Sequence, residues 1–203
     1  MYFHDNYYSL TEVVKTFYSF VITRLFYRPA SLIRRPFYIR GNPRMQIGEG
    51  FTTGYNCRFE IFGERADHSK KLIFGKGCHI GDNVHIAAFE RVEIGDNCLM
   101  ASKIFISDCS HGSYGGGTEA SDPCSDPNKR TLSASPVSVG NNVWIGENVC
   151  ILSGVSIGDG VVIGANSVVT KSLPSNVIAV GIPARILKSY NEETHQWKTV
   201  GAD

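Results

Sequence analysis

The regular feature of this chain is a spacing of six between its aliphatic positions. From Val139 onward it divides as VGNNVW, IGENVC, ILSGVS, IGDGVV, IGANSV and VTKSLP, led by Val139, Ile145, Ile151, Ile157, Ile163 and Val169. Glycine follows the leader at 140, 146, 158 and 164, and a second aliphatic recurs at Val143, Val149, Val155 and Val161. An α-helix repeats its apolar face at about 3.6 residues and a half-buried strand at 2, so neither produces this pattern. A period of six is the signature of a parallel β-helix, in which each hexad is one flat side of a triangular coil. Short strands then stack on their counterparts in neighbouring coils, and the leaders form a continuous interior column. Glycine after the leader suits a corner that needs positive φ or close backbone approach.

Upstream the rhythm weakens. Gln46 to Gly50 reads as a first degenerate corner and Phe51 to His68 as irregular, before FGKGCH (74–79), IGDNVH (80–85) and IAAFER (86–91) restore the pattern. Val92 and Glu93 are two extra residues ahead of IGDNCL (94–99), and are expected to bulge outward at a corner. The pattern stops over 107–136, where a glycine triplet, serines, aspartates and three prolines are loop chemistry. An insert of this length between two regular runs of coil points to function.

Residues 9–28 predict an amphipathic helix, with Ser9 and Glu12 as a capping box. Leu10, Val13, Val14, Phe17, Val21 and Leu25 share one face, and Pro29 marks the stop. The basic, aromatic stretch that follows holds Arg34, Arg35 and Arg40. One reading of this segment is peripheral contact with an anionic membrane surface. The other is a helix packed on the coil, capping its open end so that no sheet edge is bare. Beyond Pro183, ARILKSYNEETHQW predicts a short C-terminal helix. The organisation is thus a helical, basic segment (1–44), an all-β coil (45–183, with the loop 107–136) and a C-terminal helix and tail (184–203).

Composition narrows the setting. A chain of 203 residues with 42% apolar content fits one domain with a small appendage. The net charge of +1 gives no basis for a nucleic-acid partner. The six cysteines (57, 78, 98, 109, 124 and 150) form no C-x-x-C pair and read as reduced thiols of a cytoplasmic protein. The opening MYFHDNYYSL lacks the order of a signal peptide, and no run of eighteen uncharged apolar residues occurs.

The hexads, SDCSHG (107–112), VWIGENV (143–149), IGANSVVTKSLP (163–174) and GIPAR (181–185) together resemble the hexapeptide-repeat O-acetyltransferases. The resemblance spans roughly residues 45–190 and is strongest to bacterial members that modify O-antigen, capsule or exopolysaccharide. It implies a left-handed β-helix, an exception to the right-handed crossover rule. It also implies a homotrimer with active sites between adjacent subunits, acetyl-CoA as donor, a saccharide acceptor that is lipid-linked in some relatives, and no metal.

Such a reaction needs a base, because a sugar hydroxyl is a poor nucleophile near neutral pH. Histidine suits the task, and general-base help contributes about 10²–10⁴ in rate. His111 matches the family's catalytic histidine. Many relatives carry Asp-His-x-His-Gly where this chain has Asp108-Cys109-Ser110-His111-Gly112, so Cys109 replaces a first histidine. Asp108 either orients His111, contacts acceptor hydroxyls or forms an ordinary Asx-turn. His85 matches a Val-His-Ile segment near the acceptor pocket of relatives, against the plain alternative of an exterior histidine. The family's oxyanion donor corresponds to the amide of Glu147. Trp144 corresponds to a tryptophan beside the acetyl end of the cofactor, or fills a subunit contact. Ala165, Thr170 and Lys171 match positions lining the pantetheine groove, where Ser167 is also small enough to fit. Lys171, Arg185 and Lys188 can meet the cofactor phosphates. Two rival readings use the same coil: a zinc-dependent, carbonic-anhydrase-like enzyme built on His79, His85 and His111, and a non-enzymatic trimeric scaffold.

Overall fold

Stacking of the hexads builds a three-sided coil. The computed structural model describes residues 8–64, 66–115 and 120–200. Its first face stacks Leu32–Ile33, Thr52–Thr53, His79–Ile80, Leu99–Met100, Trp144–Ile145, Val162–Ile163 and Val177–Val180. The second stacks Phe37–Arg40, Cys57–Ile61, His85–Ala88, Phe105–Ser107, Cys150–Ile151 and Val168–Val169. The third stacks Met45–Gln46, Leu72–Phe74, Val92–Ile94, Val137–Val139 and Ser156–Ile157. Neighbours within each stack are parallel, as at Met100↔Ile145 and Ile106↔Ile151. The six leaders and the four recurring valines are all buried, so the period of six is the period of the core.

The corners divide the labour that glycine was expected to do alone. A Cβ on Gly140 would lie 2.4 Å from Asp159 Oδ1, and one on Gly158 would lie 2.5 Å from the Ser175 amide nitrogen. Glycine after the leader therefore answers close approach. Positive φ falls two residues later, at Asn142, Asn148, Gly154, Gly160 and Asn166, where asparagine tolerates the left-handed region.

Several boundaries differ from the sequence expectation. The coil begins at Leu32 rather than at 45, since Leu32–Ile33 already pairs with Thr52–Thr53. Aromatic packing hides the rhythm there: Phe37, Phe59, Phe74 and Phe51 stack through the core with ring centroids 4.7–5.6 Å apart. Val92 and Glu93 lie in a strand, and the surplus residues widen the preceding corner at Phe89–Arg91. The loop is not structureless, because Cys109–His111 and Leu132–Ala134 pair as an antiparallel ribbon. Residues 116–119, including part of the glycine triplet, lie outside the described residues, as does His4.

The C-terminal helix does not form. Arg185–Asn191 and Gln196–Thr199 are antiparallel strands that extend the first face beyond Val177–Val180. The open edge of that face offers backbone partners that an isolated short helix lacks. The turn is closed by the Asn191 side chain, which accepts from the Thr194 amide at 2.7 Å, and Tyr190 packs on Trp197 across the strands.

At the other end the helix α1 (Leu10–Phe26) forms with its capping box intact. It caps the coil, but with its polar side. Thr23 Oγ1 accepts from the Ile33 amide at 2.9 Å and donates to the Ser19 carbonyl at 2.7 Å, and Ser19 Oγ accepts from the Arg35 amide at 3.2 Å. Thr16, Ser19 and Thr23 are its buried residues. The apolar face of Leu10, Val13, Val14, Phe17, Val21 and Leu25 points outward and is exposed. The first strand's free amide needs an acceptor, and a hydroxyl supplies one where a leucine cannot.

Thr23→Val is therefore expected to leave the Ile33 amide buried without a partner. Urea midpoints should show a loss of about 1–3 kcal/mol, with faster hydrogen exchange at Ile33. Phe17→Ser should move the midpoint by less than about 0.5 kcal/mol. An equal cost for both would mean that α1 packs through its other side.

Candidate functional site

The candidate residues gather at two edges of the coil. Trp144, Glu147 and Ala165 lie at or beside the corner between the first and second faces. Asp108, His111, Thr170 and Lys171 lie beyond the second face, at the next corner. His85 stands on the second face between them, in register with Arg58 one coil earlier and Phe105 one coil later. A single chain does not bring His111 and Glu147 together, because the width of a face separates their corners.

The corner at Glu147 lacks a hydrogen bond that six other corners share. At those six corners the amide two residues after the leader is capped by a side chain from the next coil. Asp82 Oδ1 accepts from the Tyr55 amide at 2.6 Å, and Asp96 Oδ1 accepts from the Lys76 amide at 2.7 Å. Asn141 Oδ1 accepts from the Asp96 amide at 2.8 Å, and Asp159 Oδ1 from the Asn141 amide at 2.6 Å. Ser102 and Ser175 do the same for Asp82 and Asp159 at 3.1 Å. Under Glu147 the equivalent residue is Ala165, whose methyl group can accept nothing. The corners still approach closely, since a Cβ on Gly146 would lie 2.6 Å from the Ala165 amide nitrogen. Among the described residues nothing accepts from the Glu147 amide, which lies beside Trp144, itself 53% exposed. The Glu147 carboxylate itself turns to Lys103, 3.3 Å away.

His111 ends the first strand of the loop ribbon, paired with Leu132, and is exposed. Among the described residues its ring nitrogens have no hydrogen-bond partner, which leaves them available to a ligand. The backbone around it is braced by residues that sequence reasoning missed. Tyr114 donates its hydroxyl to the His111 carbonyl and accepts from Arg130 Nη1 at 2.8 Å. Arg130 also reaches the carbonyls of Pro123 and Ser125. Gly112 has φ +106, and a Cβ there would meet Ser121 Oγ at 2.7 Å. The signal available in sequence was a lone arginine and a lone tyrosine in a stretch of small residues.

Asp108 neither touches His111 nor faces an acceptor. It is fully buried, and its carboxylate accepts from the amides of Phe89, Glu90 and Arg91 at 2.8, 2.7 and 2.6 Å. Its carbonyl accepts from the Ser135 amide and from Ser153 Oγ, both at 2.8 Å. It pins the root of the loop to the coils on either side. Ser167 is likewise buried, donating to the Gly164 carbonyl and accepting from the Gly181 amide, so it does not line a groove.

His85 Nε2 lies 3.1 Å from Glu60 Oε2, and Phe105 packs at 5.3 Å between ring centroids. Glu60 also meets Arg58 at 2.8 Å and Arg40 at 3.4 Å. The Arg58 hydrogen bond, aided by His85, holds the Glu60 carboxyl below its usual range. Thr170 and Lys171 are exposed two coils beyond the loop root. Arg185 stands exposed on the strand that replaced the expected helix, with Lys188 further along it. His79 faces a different side, bonded to Thr52 Oγ1 at 2.8 Å. Among the described residues of one chain, no three histidine, cysteine, aspartate or glutamate side chains lie close enough to share a metal ion.

Residues 136–171 match the family described as bacterial transferase hexapeptide (six repeats). The chain is 43% identical over 191 residues to the putative lipopolysaccharide biosynthesis O-acetyl transferase WbbJ of Escherichia coli, covering 94% of this chain and 95% of that one. It is 37% identical over 144 residues to the galactoside O-acetyltransferase of Escherichia coli, over 66% of each chain. Among solved structures, a mutant of the N-acyltransferase AntD from Bacillus cereus, complexed with dTDP-4-amino-4,6-dideoxyglucose and coenzyme A, shares the fold. The TM-score is 0.65 at 23% identity, over 92% of each chain. A hexapeptide-repeat acetyltransferase from Vibrio cholerae, complexed with acetyl coenzyme A, aligns with TM-score 0.50 and 28% identity. It covers 69% of this chain and 66% of its own.

The two loop residues should separate cleanly in stability measurements. Asp108→Ala strands three buried amides and is expected to cost at least about 2 kcal/mol. His111→Ala, on an exposed side chain, should move the midpoint by less than about 0.5 kcal/mol. Denaturant titration of both variants checks this, and an undestabilised Asp108→Ala would contradict the pinning role.

Proposed function

Because the chain belongs to the hexapeptide-repeat bacterial acetyltransferases, we propose that it moves the acetyl group of acetyl-CoA directly onto a saccharide hydroxyl during synthesis of a bacterial surface polysaccharide, lipopolysaccharide foremost. The observation that carries this reading is the uncapped amide of Glu147. Where six other corners cap this amide with a side chain, the corner at Glu147 leaves it without an acceptor, beside an exposed tryptophan and above an alanine. That is the equipment an acyl thioester needs: a donor aimed where negative charge develops, and a smooth wall for an apolar arm.

His111 takes the hydroxyl proton as the acceptor oxygen bonds to the thioester carbon. The Glu147 amide donates to the carbonyl oxygen while it is negative. When the carbon–sulfur bond breaks, His111 returns the proton to the departing thiolate, so no covalent enzyme intermediate is needed. Ala165 and Trp144 flank the acyl end, and Thr170, Lys171 and Arg185 supply polar and cationic groups to the rest of the donor. His85, oriented by Glu60, binds the acceptor. Asp108 is a positioning residue for the loop.

The separation of the two corners supports a homotrimer of left-handed coils. If His111 of one copy meets Glu147 of the next, base and oxyanion donor converge in a cleft that neither copy has alone. This also explains why both residues are exposed.

His111→Ala should lower kcat by about 10²–10⁴ with the fold unchanged. Ala165→Asp rebuilds the missing cap, so its carboxylate should capture the Glu147 amide as Asp82 captures that of Tyr55. We expect kcat to fall by about 10²–10³ while the melting temperature holds or rises. Release of free thiol from acetyl-CoA, with a sugar panel as acceptors, reads both. An Ala165→Asp enzyme of normal kcat would remove the oxyanion role, and an unimpaired His111→Ala enzyme would remove the base.

A further inference from the structure

We infer that α1 docks this enzyme on an anionic lipid bilayer, lying flat in the interface with Leu10, Val14, Phe17, Val21 and Leu25 turned into it. The orientation of the helix comes first. Its hydroxyl stripe is consumed by the coil, so its apolar side faces away from the protein body. Leu10 is 80% exposed, Val14 61%, and Phe17 and Leu25 67% each. Contiguous apolar surface of this kind marks a contact rather than ordinary exterior.

Charge identifies the partner. Residues 1–44 carry seven lysines and arginines against two acidic residues, while the other 159 carry thirteen against seventeen. The cationic excess thus belongs to the segment that bears the apolar face, although the whole chain is near neutral; Lys15, Arg24 and Arg28 are its exposed cations on or next to α1, while Arg44 is buried and Arg40 pairs with Glu60. Arg24 lies along that face, its guanidinium 5.1 Å over the Phe20 ring, where a long side chain can keep its stem among apolar groups and reach outward to phosphates. A second copy would bring the same cationic segment against this one and be repelled. An anionic headgroup layer answers both the charge and the apolar side. At 17 residues α1 does not qualify as a span, and no helix among the described residues is long and apolar enough to cross a membrane.

The purpose of such docking rests on the proposed acceptor class. A saccharide carried on a lipid is presented at a bilayer surface. α1 sits on the first coil, from which Arg40, Arg58 and His85 lead along the second face toward the loop of His111. The binding itself does not depend on that chemistry.

The test uses the whole protein, without acetyl-CoA, sedimented with vesicles of phosphatidylglycerol or of phosphatidylcholine. We expect at least about tenfold tighter binding to phosphatidylglycerol, weakening as salt is raised. Val14→Ser/Phe17→Ser/Val21→Ser should lose at least about tenfold in binding while keeping its melting temperature and its transfer to a soluble sugar. Wild-type protein that ignores both vesicles, or a triple variant that binds like wild type, overturns the proposal. So does a triple variant whose only change is oligomer size in light scattering, since the face would then join copies of the chain. Vesicle binding retained by a protein that acetylates no sugar supports the docking and sinks the functional reading alone.

Discussion

Register between coils is the constraint on which this structure depends. Each short strand has only two to five residues with which to find its partners one coil away, so no strand is stable by itself. Stability comes from repetition: every leader sits on the leader before it, and every corner must turn in the same plane. Corners therefore carry as much of the specification as strands do. The left-handed residue, the close-approach glycine and the side chain capping the next amide recur together at 140–142 and 158–160. A coil built this way is rigid, and a rigid corner can leave one donor uncapped without collapsing around it. Ala165 under Glu147 uses that freedom.

How much of this was legible in the sequence follows from which interactions are periodic. The leaders and their valines repeat at a fixed spacing, so the coil could be read from Val139 onward without ambiguity. At the N-terminal end the same stacking is done by Phe37, Phe51, Phe59 and Phe74, whose bulk breaks the hexad rhythm, and the first strands went unread. The C-terminal segment failed for another reason. Strand or helix there was decided by an open sheet edge, which is a property of the folded coil rather than of ARILKSYN. The helix α1 was predicted with its cap, but the spacing of its apolar residues tells only that its two sides differ. Which side meets the protein was settled by two backbone amides at Ile33 and Arg35 that needed oxygen acceptors.

The candidate site was legible in its residue types and not in its geometry. His111 stands out because the rhythm breaks around it, and the uncapped corner can be recovered from spacing once the capping pattern is known. Aspartate, asparagine or serine occupies the capping position at 82, 96, 102, 141, 159 and 175, and alanine occupies it at 165. Asp108 misled because an aspartate near a histidine suggests a catalytic pair. Its three amide partners, at Phe89, Glu90 and Arg91, lie in a corner seventeen to nineteen residues away in sequence, beyond any local motif.

These observations bear on how one coil can serve different reactions. The second face separates two edges with opposite requirements. In the proposed reaction the edge at Glu147 faces the donor and has to be smooth, regular and short, so hexads without insertions suit it. The edge at His111, which in that proposal recognises the acceptor, carries the long interruption over 107–136, braced by Arg130 and Tyr114 rather than by stacking. Loop residues there can change without disturbing the column of leaders, since Asp108 fixes the loop root on the coils through backbone amides. If the cleft forms between copies, a change in the loop of one chain alters the acceptor side while the partner's donor corner stays as it was. Acceptor choice and donor binding then vary independently, each on an edge held by its own set of backbone hydrogen bonds.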